Sequence, residues 1–275
     1  MSTKMDEQTL KHLQKVQLMI LKDFIEICNK NNLDYYLFYG TLIGAVRHKG
    51  FIPWDDDIDI AMFREDYEKF LEAFKKEKSD KYELLETRYQ DDYFFIFGKM
   101  SLKNTSYGEN WSGQVSFKLG IFIDIFVIEN VPDNKIKRFF FRKKCFIYDK
   151  LLAIAAIKFD KNYPFYIRAT TNTLHTILNK LNLNTKYFQK KVINTMKKYG
   201  NKDTTYVCEL SDECQSYYKK SDLTPPIKVK FEDIEVKIPN NYDAVLKTIY
   251  GDYMKIPPEN ERVTHNIDYV DFGEY

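Results

Sequence analysis

The chain has 275 residues, 44% hydrophobic and 30% charged, the composition of an ordinary soluble globular protein able to bury one substantial core. Its 42 Lys and Arg against 40 Asp and Glu leave a net charge of +2, so no global basic field argues for nucleic-acid binding. Cys28, Cys145, Cys208 and Cys214 form no C-x-x-C pair and have no soft partners nearby, which excludes a zinc site and leaves reduced thiols.

In chain order, residues 1–9 are polar, so no signal peptide is expected. Leu10, Leu13, Val16, Leu21, Phe24, Ile25 and Cys28 fall at helical spacing and predict a helix over 10–29. A short aromatic strand follows at 34–38, then a short helix over 41–46 with Thr41 as its cap. Strands are expected at 57–62, 82–86, 93–100 and 121–128, with an amphipathic helix at 64–76. Residues 134–199 are helical and basic in pattern. A strand pair at 227–231 and 234–238 precedes a last helix at 241–250, stopped by Gly251. The apolar run 151–157 is far too short for the about 20 residues that span a bilayer, so a cytoplasmic protein is expected.

The most informative segment runs from Gly40 to Ile60 and packs Asp55, Asp56, Asp57 and Asp59 behind a Gly-containing loop with Arg47, His48 and Lys49. Crowded carboxylates repel one another unless a cation binds among them, and hard oxygen ligands beside a basic loop point to Mg²⁺ (or Mn²⁺) holding a phosphate. Alternation along a strand puts Asp57 and Asp59 on one face and Ile58 and Ile60 on the other, with Asp55 joining if the strand starts early. A solvated acidic turn closed by Pro53 and Trp54 is the alternative, but a turn has no need of Ile between carboxylates. The third acid is expected to be Asp124, alone inside the apolar run 121–128. Burying it ionised is costly unless it is metal-bound, or bonded to an Arg or backbone amides. Asp91 and Asp92, in a polar turn, are weaker candidates.

Gly40 and Thr41 are expected to offer backbone N–H groups and a hydroxyl to phosphate oxygens. Gly44 either lets the backbone approach closely or eases helix packing. Arg47 is expected to grip phosphate; Lys49 does the same or belongs to a solvated loop, and the role of His48 stays open. His12 and His175 fall on helical stretches and are expected to be structural. The basic and aromatic helix at 135–146 either rests on an anionic membrane surface or packs its Phe face on the domain, the second being the ordinary outcome.

A Gly-Thr after an apolar strand, followed by Asp-apolar-Asp on the next, resembles the nucleotidyltransferase fold typified by polymerase β. More narrowly, the run from Gly40 to Asp59 resembles the LicD family of phosphocholine transferases and related enzymes, with the fukutin-type ribitol-phosphate transferases as distant relatives. A second patch, from Tyr250 through Pro257 and Pro258 to Arg262 and His265, is similar to the family's closing segment; between the two the likeness is looser.

The resemblance implies an α/β (α+β) fold: a nucleotidyltransferase-like mixed sheet flanked by helices, with an inserted helical subdomain. The expected units are a catalytic core at 1–133, a helical subdomain at 134–200, and strands and a helix at 201–275 that complete the site. It implies a metal-dependent transferase moving phosphocholine from CDP-choline, or another CDP-alcohol, to a sugar hydroxyl. The acceptor would be a teichoic acid or surface-glycan precursor, lipid-linked and met at the inner face of the membrane. Asp57, Asp59 and Asp124 would be the catalytic and metal-holding acids, and Lys99 would contact the leaving group or diphosphate. His265 would contact acceptor or phosphate. Trp54 and Trp111, with Tyr107, would form a cation–π cage for choline, unless Trp54 only packs under the loop. The rivals are a nucleotidyltransferase moving NMP from an NTP, a ribitol- or glycerol-phosphate transferase, and a non-catalytic scaffold.

Overall fold

The amphipathic pattern near the start of the chain forms helix α1 (Glu7–Lys30), whose Asp6 cap accepts from the Thr9 amide at 2.9 Å. Leu13, Ile20, Leu21, Phe24 and Ile27 of that helix are fully buried in the core. The computed structural model describes residues 5–78, 80–109, 111–159, 161, 163–200, 202–211, 216–262 and 267–275.

After α1 come β1 (Tyr36–Leu37), α2 (Tyr39–Ile43) and a π-turn (Gly44–His48), then β2 (Asp59–Phe63) and α3 (Arg64–Glu77). Strands β3 (Tyr82–Leu85), β4 (Gly98–Leu102), β5 (Ser106–Glu109) and β6 (Phe122–Val131) follow. Three helices, α4 (Lys135–Ala156), α5 (Phe165–Lys180) and α6 (Thr185–Met196), fill the basic stretch, with α5 and α6 packed on α4. The chain then forms β7 (Tyr206–Glu209), β8 (Tyr217–Lys219), α7 (Lys220–Leu223), the hairpin β9 (Ile227–Phe231) and β10 (Ile234–Ile238), α8 (Tyr242–Tyr250) and β11 (Ile267–Asp271). Asn241 caps α8, and Gly251 ends it at φ +67.

The main sheet is mixed and runs β1-β2-β6-β4-β3, with β7 on β6 and β8 on β7. β2 lies parallel to β6, and β4 lies antiparallel to it. β6 is therefore the central strand, buried along nearly all its length, as its continuous apolar run requires. The mixed sheet flanked by helices is the α/β class expected.

Several local expectations are corrected. The strand expected over 93–100 forms only at Gly98–Leu102. Tyr93 packs its ring at a tilt against Phe95 and Phe117, and Gln189 of α6 donates to its carbonyl at 2.7 Å, so the segment packs as a cluster outside the ladder. The acidic strand starts at Asp59, not at 57. Thr41 is buried inside α2 and caps nothing. The pair β5–β11, unforeseen in the sequence, brings the C-terminal arm beside β5 and lays the Tyr269 ring over Gly108, where a Cβ would sit 2.2 Å from it. Cys28, Cys145 and Cys208 are buried thiols outside any disulfide; Cys214 lies outside the described residues.

Candidate active site

Strand register places the candidate residues. Asp59 of β2 is paired with Asp124 of the parallel β6, and Asp124 is paired on its other side with Lys99 of β4. Paired positions share a face, so the three side chains form one row across the middle of the sheet. Lys99 Nζ lies 2.6 Å from Asp124 Oδ1. Asp59, Asp124 and Lys99 keep only 7, 8 and 3% of their surface exposed, so the row is buried among apolar strands.

The row forms part of a cleft of about 410 Å³ whose lining also includes Gly40, Asp55, Asp57, Glu109 and the rings of Tyr39, Phe95, Phe97, Tyr107, Phe122, Phe126 and Tyr250. Ile58 and Ile60 are fully buried, while Asp57 and Asp59 line the cleft, as alternation requires. Burial pushes the Asp59 carboxyl well above the ordinary range, and the charges of Asp57, Asp124 and Asp55 add to the rise, with Lys99 opposing them.

Glycine and threonine position this acid row. A Cβ on Gly40 would meet Asp55 Oδ2 at 3.1 Å, so the absent side chain leaves room for that carboxylate. The Thr41 hydroxyl accepts from the Asp59 amide at 2.8 Å and so pins the start of the acidic strand. A Cβ on Gly44 would stand 2.5 Å from the Gly50 carbonyl, so the close backbone approach there is to the chain itself. From behind, Gln14 and Gln17 of α1 donate to the carbonyls of Asp55 and Asp56, both at 2.8 Å. The sequence carried a signal for these two: polar side chains one turn apart beside the buried face of an amphipathic helix. Tyr39, at φ +42, donates its hydroxyl to Glu209 Oε2 at 2.5 Å and presents its ring to the cleft.

Other expected site residues point elsewhere. Arg47 Nη1 donates to the carbonyl of Tyr253 at 2.7 Å, and its Nε to His48 Nε2 at 2.9 Å, so it fastens the C-terminal arm. Burial, then the charge of Arg47, lowers the His48 pKa. Lys49 is exposed at φ +58, and its carbonyl accepts from the Glu232 amide. None of the three lines the cleft.

Of the three expected cage residues, Tyr107 lines the cleft and the two tryptophans do not. Trp54 lies under the Arg262 guanidinium at 4.2 Å, and Trp111 is packed against Phe94 and Phe95 with its Nε1 donating to Glu109. A different aromatic box is present: Lys99 Nζ sits 3.7 Å from the Phe122 ring centre and within 5.2 Å of those of Phe95 and Phe97. Asp92 caps Ser116 and Asp91 pairs with Lys186, both away from the acids. His12 stacks on Phe272, and His175 bonds the Ile154 carbonyl. His265 lies outside the described residues.

The donor set suits a hard divalent cation. Four aspartates and Glu109 face one cleft with Lys99 as its single basic lining group among the described residues, and all the acidic donors are carboxylate oxygens. Among the described residues, the three carboxylates that come within 4.8 Å of one another are those of Asp55, Asp56 and Asp57, which makes Asp56 an addition to the expected set.

The family model described as "LicD/FKTN/FKRP, nucleotidyltransferase domain" matches residues 32–162. The lipopolysaccharide cholinephosphotransferase LicD of Haemophilus influenzae is 34% identical over 275 residues, 96% of this chain and 98% of that protein. An uncharacterized protein of Rickettsia typhi is 48% identical over 69 residues, 24% of this chain and 22% of its own. One of Caenorhabditis elegans is 37% identical over 65 residues, 24% and 17% of the respective lengths.

Proposed function

Because the chain belongs to the LicD family, we propose that it is a phosphotransferase that moves phosphocholine from CDP-choline to a sugar hydroxyl of lipopolysaccharide or a related surface glycan. The observation that carries this reading is the row Asp59, Asp124, Lys99 set across three neighbouring strands at the floor of an aromatic-walled cleft. The near full-length likeness to a cholinephosphotransferase supports the choice of group transferred.

Asp57, Asp59 and Asp124 would hold Mg²⁺ (or Mn²⁺), with Asp55 beside them; bound there, the cation supplies positive charge against the donor's phosphate oxygens. The chain's own groups do the rest. Lys99 fixes the Asp124 carboxylate, and that carboxylate takes up the proton of the acceptor hydroxyl as the hydroxyl attacks. The hydroxyl oxygen forms its bond to the phosphorus bearing choline as the bond to CMP breaks, and CMP leaves with that electron pair. The rings of Tyr39, Phe95, Phe97, Phe126 and Tyr250 offer faces to the quaternary ammonium, in place of Trp54 and Trp111. Work at the cytoplasmic side is part of this reading.

The test is a donor screen with Mg²⁺ present, following melting temperature and CMP release for CDP-choline, CDP-ribitol, CDP-glycerol and CTP. CDP-choline alone should both stabilise the protein and yield CMP in an acceptor-dependent manner. Pyrophosphate release from CTP would show NMP transfer in its place.

A further inference from the structure

The net charge of +2 conceals a strong asymmetry. Residues 134–200 hold 16 Lys and Arg against two acids, Asp149 and Asp160, for a net +14, so the rest of the chain sums to −12. Within this stretch α4 exposes Ile136, Phe139, Phe140 and Ile147, at 68, 53, 66 and 54% of their surface. At about 100° of turn per residue these four positions fall within roughly one third of the circumference, along one side of the helix. Beside them, α4 and α6 enclose a groove of about 770 Å³. Ile136, Phe140 and Tyr148 contribute apolar surface to it, Lys137, Lys144, Lys191 and Lys198 contribute charge, and among the described residues the lining contains no carboxylate.

We propose that this α4–α6 face seats the protein on an anionic phospholipid membrane, with the four lysines on lipid phosphates and the exposed Ile and Phe side chains at the acyl boundary. Basic and large apolar side chains interleaved on one exposed helix are what an anionic interface satisfies together. A nucleic acid would engage the lysines and leave Ile136 and Ile147 in water. No helix among the described residues is long and apolar enough to cross a membrane, so the contact is peripheral. The inference stands apart from the transfer reaction, since vesicle binding needs neither donor nor acceptor.

The experiment is flotation of the full chain with vesicles of phosphatidylcholine containing one quarter phosphatidylglycerol, against pure phosphatidylcholine. The protein should float with the anionic vesicles and not with the neutral ones, and added salt should weaken the binding. Each lysine removed should cost about fivefold in partition, so Lys137→Gln, Lys144→Gln, Lys191→Gln and Lys198→Gln together should cost more than a hundredfold. Phe139→Ser with Phe140→Ser should lower it at least tenfold, and circular dichroism should show both variants folded. Absent flotation, equal flotation with both vesicle types, or unchanged binding by the folded variants would overturn the proposal. So would binding of an RNA oligonucleotide that outcompetes vesicles, or self-association that consumes the same face without them.

Discussion

Lys99 and Asp124 face each other across the antiparallel β4–β6 pair, their charged atoms 2.6 Å apart and both side chains nearly buried. Removing one member of such a pair strands the other charge in a medium that solvates it poorly. Lys99→Met should therefore destabilise the protein by about 3–5 kcal/mol in urea unfolding. Lys99→Met with Asp124→Asn should recover most of that stability, because no buried charge is left over. Both variants should lose at least a hundredfold in transfer rate. A stable and active Lys99→Met would show that the pair neither supports the fold nor serves the chemistry.

Asp59 is held protonated-prone by burial and by the carboxylates of Asp57, Asp124 and Asp55. A carboxyl whose folded pKa is raised loses stability as pH climbs from the unfolded value, 3.8, toward the raised one, so the metal-free protein should melt lower at neutral than at mildly acidic pH. Asp59→Asn should abolish that slope and raise the metal-free melting temperature by a few degrees, at the expense of activity. Scanning calorimetry of both proteins in chelator across this range checks it.

Glu68 behaves in the opposite sense. Burial alone would raise its pKa, but hydrogen bonds from Arg88 and Lys197 outweigh that and hold it at about 2. A depressed carboxyl contributes stability that is complete above its unfolded value of 4.5 and is lost as pH falls toward 2. Glu68→Gln should flatten the acid limb of the stability curve between those limits, as followed by fluorescence. Because Lys197 follows α6 while Glu68 belongs to α3, the same variant should loosen the helical stretch against the sheet, visible as faster amide exchange in α6.

Gly44 has no space for a side chain, since a Cβ would lie 2.5 Å from the Gly50 carbonyl. Gly44→Ala should cost about 1–3 kcal/mol, the scale of forced overpacking against backbone. It should also displace the 44–51 loop that the β9–β10 hairpin grips through Glu232, whose carboxylate accepts from the Phe51 amide at 3.0 Å. Chemical denaturation reads the first effect and proteolysis at the loop the second.

The parts of the site readable from the sequence are those set by local periodicity. Alternation in Asp57 to Ile60 placed two acids toward the cleft and two isoleucines in the core, and a lone Asp in an apolar run marked Asp124. What escaped depends on register between distant segments. That Lys99 meets Asp124 follows from the β4–β6 pairing, which no local pattern encodes. Arg47 turned to the Tyr253 carbonyl because the C-terminal arm returns beside it, 206 residues later. The aromatic run at 93–97 carried strand propensity, yet Gln189 took its carbonyl and ring packing decided its path. The rings that line the cleft were hidden in a chain with 42 Phe and Tyr, where composition alone cannot choose among them.

Transfer of labelled choline from CDP-choline to a lipopolysaccharide acceptor, measured for the native chain and for Asp59→Asn with and without Mg²⁺, bears most directly on the row of acids. The native protein should label the acceptor and release CMP in equal amounts only when the divalent cation is present, and Asp59→Asn should fall at least a thousandfold while remaining folded. Undiminished labelling by Asp59→Asn, or full labelling in excess chelator, would place the chemistry outside this cleft.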